Sequence, residues 1–244
     1  ALRTAATAAL GARYLARPDS AAMGIIGTGA QAEFQVLALA GELPLRTVYF
    51  TDPDANARAK FVHNLADSGL HLVSCPSAEK PVSQADLLVT ATAARRRARL
   101  FPAAAVRAGT HIHALGGDAP GKTELDPSLV ERSTVVVEYL DQTRHEGEIQ
   151  NAACVEQAVE LHRLVSGDHP GRTRDDEITL FDAVGFALED FSVLTLVLEL
   201  ADALEYGERI PFFAPAKDPK NLFGWLLEWN AASTNHGKRR RVRP

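Results

Sequence analysis

The sequence predicts an α/β fold: a doubly wound, mostly parallel sheet with helices on both faces. Three observations lead there. Short apolar runs alternate with stretches of helical character along most of the chain, and that alternation gives parallel strands joined by crossover helices. The first run leads straight into Gly27-Thr28-Gly29-Ala30-Gln31-Ala32. An acid, Asp52, ends the second run twenty residues beyond Ala32.

Taken in order, residues 3–16 are alanine-rich and read as a helix, ended by Arg17-Pro18-Asp19 because proline disfavours helix at the residue before it. Residues 22–27 form a strand apolar enough to be buried on both faces. Helix is expected over 30–41 and 54–66, and strands at 48–51, 70–74, 87–90, 111–115, 134–139 and 178–181. A long amphipathic helix is expected over 187–205, where Leu188, Phe191, Leu194, Leu198, Ala201 and Leu204 recur every three or four residues. A short helix is expected at 223–229. The dinucleotide-binding domain is expected to span 17–186, with 1–16 and 187–230 as flanking helices leading to a second lobe and 231–244 as a disordered basic tail.

The glycine loop carries the most chemistry. It is the G-x-G-x-x-G/A pattern of a Rossmann-type fold, set between a strand and a helix as that pattern requires. Gly27 suits the tight turn, Gly29 lets backbone approach a pyrophosphate, and Ala30 and Gln31 open the helix whose N–H groups favour phosphate. A carboxylate at Asp52 accepts hydrogen bonds from ribose hydroxyls and repels a 2′-phosphate, so NAD is expected rather than NADP. Arg58 is the one nearby candidate for a phosphate clamp, and it falls within the following helix.

Composition excludes several other classes. Residues 231–244 hold five basic residues and no acid, so the rest of the chain carries a formal charge of −10. No nucleic-acid partner is expected for a body that acidic. No stretch approaches the roughly eighteen apolar residues of a membrane span, and no membrane partner is expected. Two cysteines cannot build a disulfide framework, which points to a reducing, cytoplasmic setting. The histidines lack metal-ligand spacing, so no metal is expected.

Residues 24–35 (GIIGTGAQAEFQ) resemble the cofactor loop of the ornithine cyclodeaminase/mu-crystallin family. Four further segments agree in register: residues 2–6 (LRTAA), 116–125 (GGDAPGKTEL), 137–150 (VEYLDQTRHEGEIQ) and 181–190 (FDAVGFALED). The resemblance implies NAD-dependent conversion of L-ornithine to L-proline and ammonia by internal hydride transfer. It leaves a related ketimine reductase or amino-acid dehydrogenase, and a non-catalytic dinucleotide-binding remnant, as alternatives. It also implies a homodimer for the full-length protein, and a substrate and dimerisation lobe that is largely absent from this chain.

The resemblance assigns roles residue by residue. Asp118 is the acid/base group; it follows the fifth strand directly, at the carboxyl end of the sheet where ligands bind, although Pro120 would equally suit an Asp118 that caps a helix. Arg3 grips the substrate carboxylate, where residue type alone would allow a solvated arginine. Thr4 lies beside the phosphates, Gln31 on the pyrophosphate, Thr92 against the cofactor and Lys122 near its nicotinamide end. Val184 and Gly185 border the substrate. Glu146 and Glu148 are structural acids, and His113 stands where the family usually has asparagine.

Overall fold

The computed structural model describes residues 1–94, 96–153 and 155–208. The expected helix at 223–229 and the basic tail at 231–244 lie outside the described residues. Residues 1–195 form one compact unit, and a second unit begins at Leu196.

The first unit is built on eight strands: β1 (Ala22–Ile26), β2 (Thr47–Thr51), β3 (His71–Ser74), β4 (Leu87–Thr90), β5 (His111–Ala114), β6 (Thr134–Val137), β7 (Val159–Glu160) and β8 (Thr179–Asp182). Their order is β3-β2-β1-β4-β5-β8-β6-β7, and every pair is parallel. Seven strands match the expected runs. β7 is an eighth, only two half-buried residues long, too short for any periodicity to register. β6 stops at Val137 instead of continuing to Tyr139, because Glu138 turns inward to accept a hydrogen bond from the Gly185 N–H.

The central strands β1, β4 and β8 are almost wholly buried because each faces two cores. Ile25, Val89, Val136 and Phe181 point into one core, together with Ala8, Ala12 and Leu15 of α1 (Leu2–Leu15) and Val36 and Leu39 of α2 (Ala32–Glu42). Their neighbours Ile26, Leu88, Val137 and Leu180 point into the other, with Val82 of α4 (Glu79–Gln84) and Leu129 of α5 (Pro127–Glu131). α1 is therefore continuous with the core of the sheet, although the sequence placed it as a flanking element. α3 (Ala55–Asn64) starts on Asp54, whose side chain accepts from Asn56 N at 2.8 Å. α6 (Leu140–Glu146) and α7 (Leu161–Val165) complete the connections.

α8 spans Ala187–Ala203, two residues shorter than expected, and none of its residues is buried. The stripe Leu188, Phe191, Leu194 and Leu198 is present, but Leu196, Val197 and Leu200 are exposed as well. The helix is thus apolar round most of its circumference rather than along one face. Among the described residues, no helix is long and apolar enough to cross a membrane.

Candidate active site

β1 and β4 lie side by side although the chain visits β2 and β3 between them. The sheet order reverses there, leaving a crevice beyond the strand ends where open α/β sheets bind ligands. Two adjoining hollows occupy it. One, about 450 Å³, is lined by Gly27, Gly29, Asp52 and Thr92 among others. The other, about 350 Å³, is lined by Arg3, Thr4, Gly29, Ala30, Gln31, Thr92, Asp118, Lys122, Val184 and Gly185. They share Gly29, Ala91, Thr92 and Ala93, forming a trench with Asp52 in one hollow and Asp118 in the other. The twelve residues expected to bind cofactor or substrate, or to react, all line one hollow or the other.

The first hollow is shaped by the glycine loop. Gly27 has φ +97°, and a Cβ there would come within 2.5 Å of the Ala91 carbonyl oxygen, so only glycine fits. Above Gly29 a Cβ would meet nothing within 4 Å; its backbone lies open to the trench. Asp52 does more than end β2: its Oδ2 accepts from Thr28 N at 2.7 Å and its Oδ1 from Asp54 N at 2.8 Å, which ties the loop to the strand. Each oxygen keeps a second acceptor site. Arg58 turns back to donate to the Asp52 carbonyl. Lys60, to which the sequence reading gave no role, donates to the Gly29 carbonyl at 3.0 Å and places a cation beside the loop.

These residues fit a dinucleotide. No side-chain hydrogen bond caps α2 among the described residues; Ala32 N donates to the Gly29 carbonyl at 3.3 Å, and the rest of the first turn suits a phosphate. The buried Gln31 Oε1 and Thr28 Oγ1 have no hydrogen-bond partner among the described residues, and buried polar atoms of this kind call for one. Gln31 Nε2 lies 3.5 Å from Thr4 Oγ1.

In the second hollow, Lys122 Nζ lies 2.7 Å from Asp118 Oδ1, and the Asp118 side chain is half exposed. Asp118 caps no helix: α5 begins later, at Pro127, on an Asp126 cap. Arg3 is not a solvated arginine. Its Nη1 lies 2.8 Å from Glu189 Oε2 and 3.9 Å from Glu138 Oε1, and its Nε lies 3.2 Å from Asp190 Oδ1. The Val184–Gly185 turn packs against it. Gly185 has φ +78°, and a Cβ there would lie 2.5 Å from Arg3 Nη2. The Gly185 N–H donates to Glu138, and its carbonyl accepts from Gln142 Nε2 at 3.0 Å.

Beneath the trench lie buried acids. Glu124 accepts from the backbone N–H of Thr92 at 2.9 Å and from the Thr92 hydroxyl. Glu148 accepts from Glu124 N and Leu125 N, and Asp182 from Ile149 N. Burial favours the protonated form of each of these groups. It raises Glu124, lifts Asp182 to about 7 and, reinforced by Asp182, lifts Glu148 to about 8. Burial, reinforced by Glu189, raises Glu138 to about 8. Glu148 is a structural acid, as its sequence suggested. Glu124, Glu138 and Asp182 lie in the segments that carry the resemblance, yet nothing in their spacing marks them out. His113 is buried against Phe181, with ring centroids 5.1 Å apart, and burial lowers it to about 3, so its imidazole is neutral. Among the described residues, no group of three His, Cys, Asp or Glu side chains could hold a metal ion.

The model of the ornithine cyclodeaminase/mu-crystallin family matches residues 1–205. The chain belongs to this family. The ornithine cyclodeaminase of Agrobacterium fabrum is 43% identical to it over 95% of this chain and 65% of that one. The chain spans 63–65% of the length of the curated ornithine cyclodeaminases it matches at 42–43% identity. Two solved structures of this Rossmann-type family are similar over most of the chain. A lysine cyclodeaminase described in terms of recognition of L-lysine, L-ornithine and L-2,4-diaminobutyric acid has a TM-score of 0.82 at 34% identity, covering 90% of this chain and 64% of that one. The Δ1-pyrroline-2-carboxylate reductase of Thermococcus litoralis, in complex with NADH and L-proline, has a TM-score of 0.81 at 30% identity, covering 85% of this chain and 66% of that one.

Proposed function

We propose that this chain binds NAD and supplies the reacting groups of an ornithine cyclodeaminase, which converts L-ornithine to L-proline and ammonia with no net change in cofactor. The observation that carries this reading is the meeting of Arg3, Asp118, Lys122 and Gly185 in one hollow of a trench whose other hollow holds Gly27 and Asp52. When bound, NAD supplies a site that accepts a hydride and gives it back. The chain's own residues hold and protonate. Asp52 meets the ribose hydroxyls and disfavours a 2′-phosphate. Asp118, oriented by Lys122 at 2.7 Å, takes the proton from the substrate amine and later returns it. Arg3 receives the substrate carboxylate in exchange for Asp190, the most exposed of its three acidic neighbours. Gly185 leaves room for the substrate to approach.

A second reading, reduction of a cyclic imine, is favoured by the likeness to the Thermococcus litoralis reductase. Incubating the chain with L-ornithine and NAD separates the two. Equal amounts of proline and ammonia without accumulation of NADH are expected. Oxidation of NADH by a cyclic imine, with ornithine left untouched, would establish the second reading instead. Cofactor binding without any turnover would reduce the role to dinucleotide binding. Cysteine usage, with Cys75 a buried free thiol, supports a reducing cytoplasm as the setting.

A further inference from the structure

We propose that Glu124 is a positioning residue: it commits the Thr92 hydroxyl proton, so that Thr92 faces the dinucleotide as a hydrogen-bond acceptor only. This rests on the dinucleotide reading above. Thr92 lines both hollows and so sits at their seam. Its hydroxyl and its backbone N–H both reach Glu124 Oε1. A carbonyl or carboxylate oxygen accepts from an N–H more strongly than a carboxylic hydroxyl does, so the Thr92 N–H favours Oε1 as the unprotonated oxygen. A retained proton then belongs on Oε2, towards the Thr90 hydroxyl. With Oε1 as acceptor, the Thr92 hydroxyl donates to it and offers the trench lone pairs, while Ala94 N approaches the same hydroxyl oxygen at 3.4 Å. A phosphate oxygen, itself an acceptor, gains nothing there. The ligand group that meets Thr92 is a donor, a ribose hydroxyl or a carboxamide N–H.

Glu124 is braced for this task. It is fully buried, and Gly116 leaves the space its carboxylate fills. Its own N–H is held by Glu148 Oε1 at 2.8 Å, and the next N–H, that of Leu125, by Oε2 at 2.9 Å. Asp182, at the end of β8, holds Ile149 N at 3.0 Å, next to Glu148. Each acid fixes the backbone beside the next, from the sheet to the floor of the trench.

The test is a double-mutant cycle on NADH affinity, measured by calorimetry on the whole chain with melting temperatures recorded in parallel. Thr92→Val and Glu124→Met are each expected to weaken binding about fivefold, one ordinary hydrogen bond. A Met side chain fills the same space and offers the hydroxyl no comparable acceptor. The double variant should lose about fivefold again, not about 25-fold, because both changes remove one interaction. Thr92→Ser should bind more tightly than Thr92→Val. Glu124→Asp keeps the carboxyl but withdraws the oxygen by one carbon, and replaces Glu124→Met if that variant does not fold. Losses that multiply, or a Glu124 variant that binds like the wild type, would overturn the proposal while leaving the dinucleotide reading intact. A wild-type chain that binds no NADH would overturn both.

Discussion

Asp118 and Arg3, proposed to meet the same substrate, sit in different electrostatic settings. Asp118 has one close partner, Lys122, and is half exposed; Arg3 is ringed by Glu138, Glu189 and Asp190. A group that must move a proton needs exposure and a fixed orientation; Asp118 is half exposed and held by Lys122, which suits the role proposed for it. Asp118→Asn keeps the shape and removes the base. It is expected to leave NAD affinity unchanged and to lower turnover of L-ornithine by about 10²- to 10⁴-fold. Wild-type rates in single-turnover assays would remove Asp118 from the chemistry. At this scale the sequence was informative about which residues gather at the trench where each stands directly after a strand, as with Gly27, Asp52 and Asp118. It was silent on Glu124, Glu138 and Asp182, because each is defined by backbone N–H groups 32, 47 and 33 residues away in the chain.

The elements around the trench are joined by turns that tolerate little change. Gly27 lets β1 pass into α2 with a positive φ and a carbonyl 2.5 Å from where a Cβ would stand. Gly27→Ala should cost about 1–3 kcal/mol of stability and abolish dinucleotide binding, read by thermal melting and calorimetry; an alanine variant that melts and binds like the wild type would show that the turn has room. The buried acids make a second statement about the elements they join. Glu138, Glu148 and Asp182 hold their protons more tightly folded than unfolded, with values of about 8, 8 and 7. The stability they contribute is complete below the unfolded carboxylate range and is lost as pH rises through about 7 to 8. His111 and His113 are pushed down by burial and act the opposite way, but only below about pH 6.5, where unfolded histidine takes up its proton. Between pH 6.5 and 9 the melting temperature should therefore fall, and Glu148→Gln should flatten the slope. A melting temperature that rises over that interval would contradict the protonation assigned to these acids. β1 and β4 were legible because a continuous apolar run marks a doubly buried strand; β7 was not, since two residues carry no pattern.

Across the whole molecule, the crevice follows from strand order. The excursion through β2 and β3 and the placement of β4 beside β1 put the glycine loop, Asp52 and Thr92 around one opening. Insertion of β8 between β5 and β6 brings the Val184–Gly185 turn beside Asp118. The alternation of strands and helices made the parallel sheet legible, but no local pattern states which strands are neighbours, so the return of β8 to the middle of the sheet had to come from the structure. The measurement that tests the account most directly is calorimetric titration of the chain with NADH and, separately, NADPH. Saturable heat is expected with NADH, with affinity at least about tenfold above that for NADPH, because the Asp52 carboxylate opposes a 2′-phosphate. Absence of heat with either nucleotide, or tighter binding of NADPH, would contradict it.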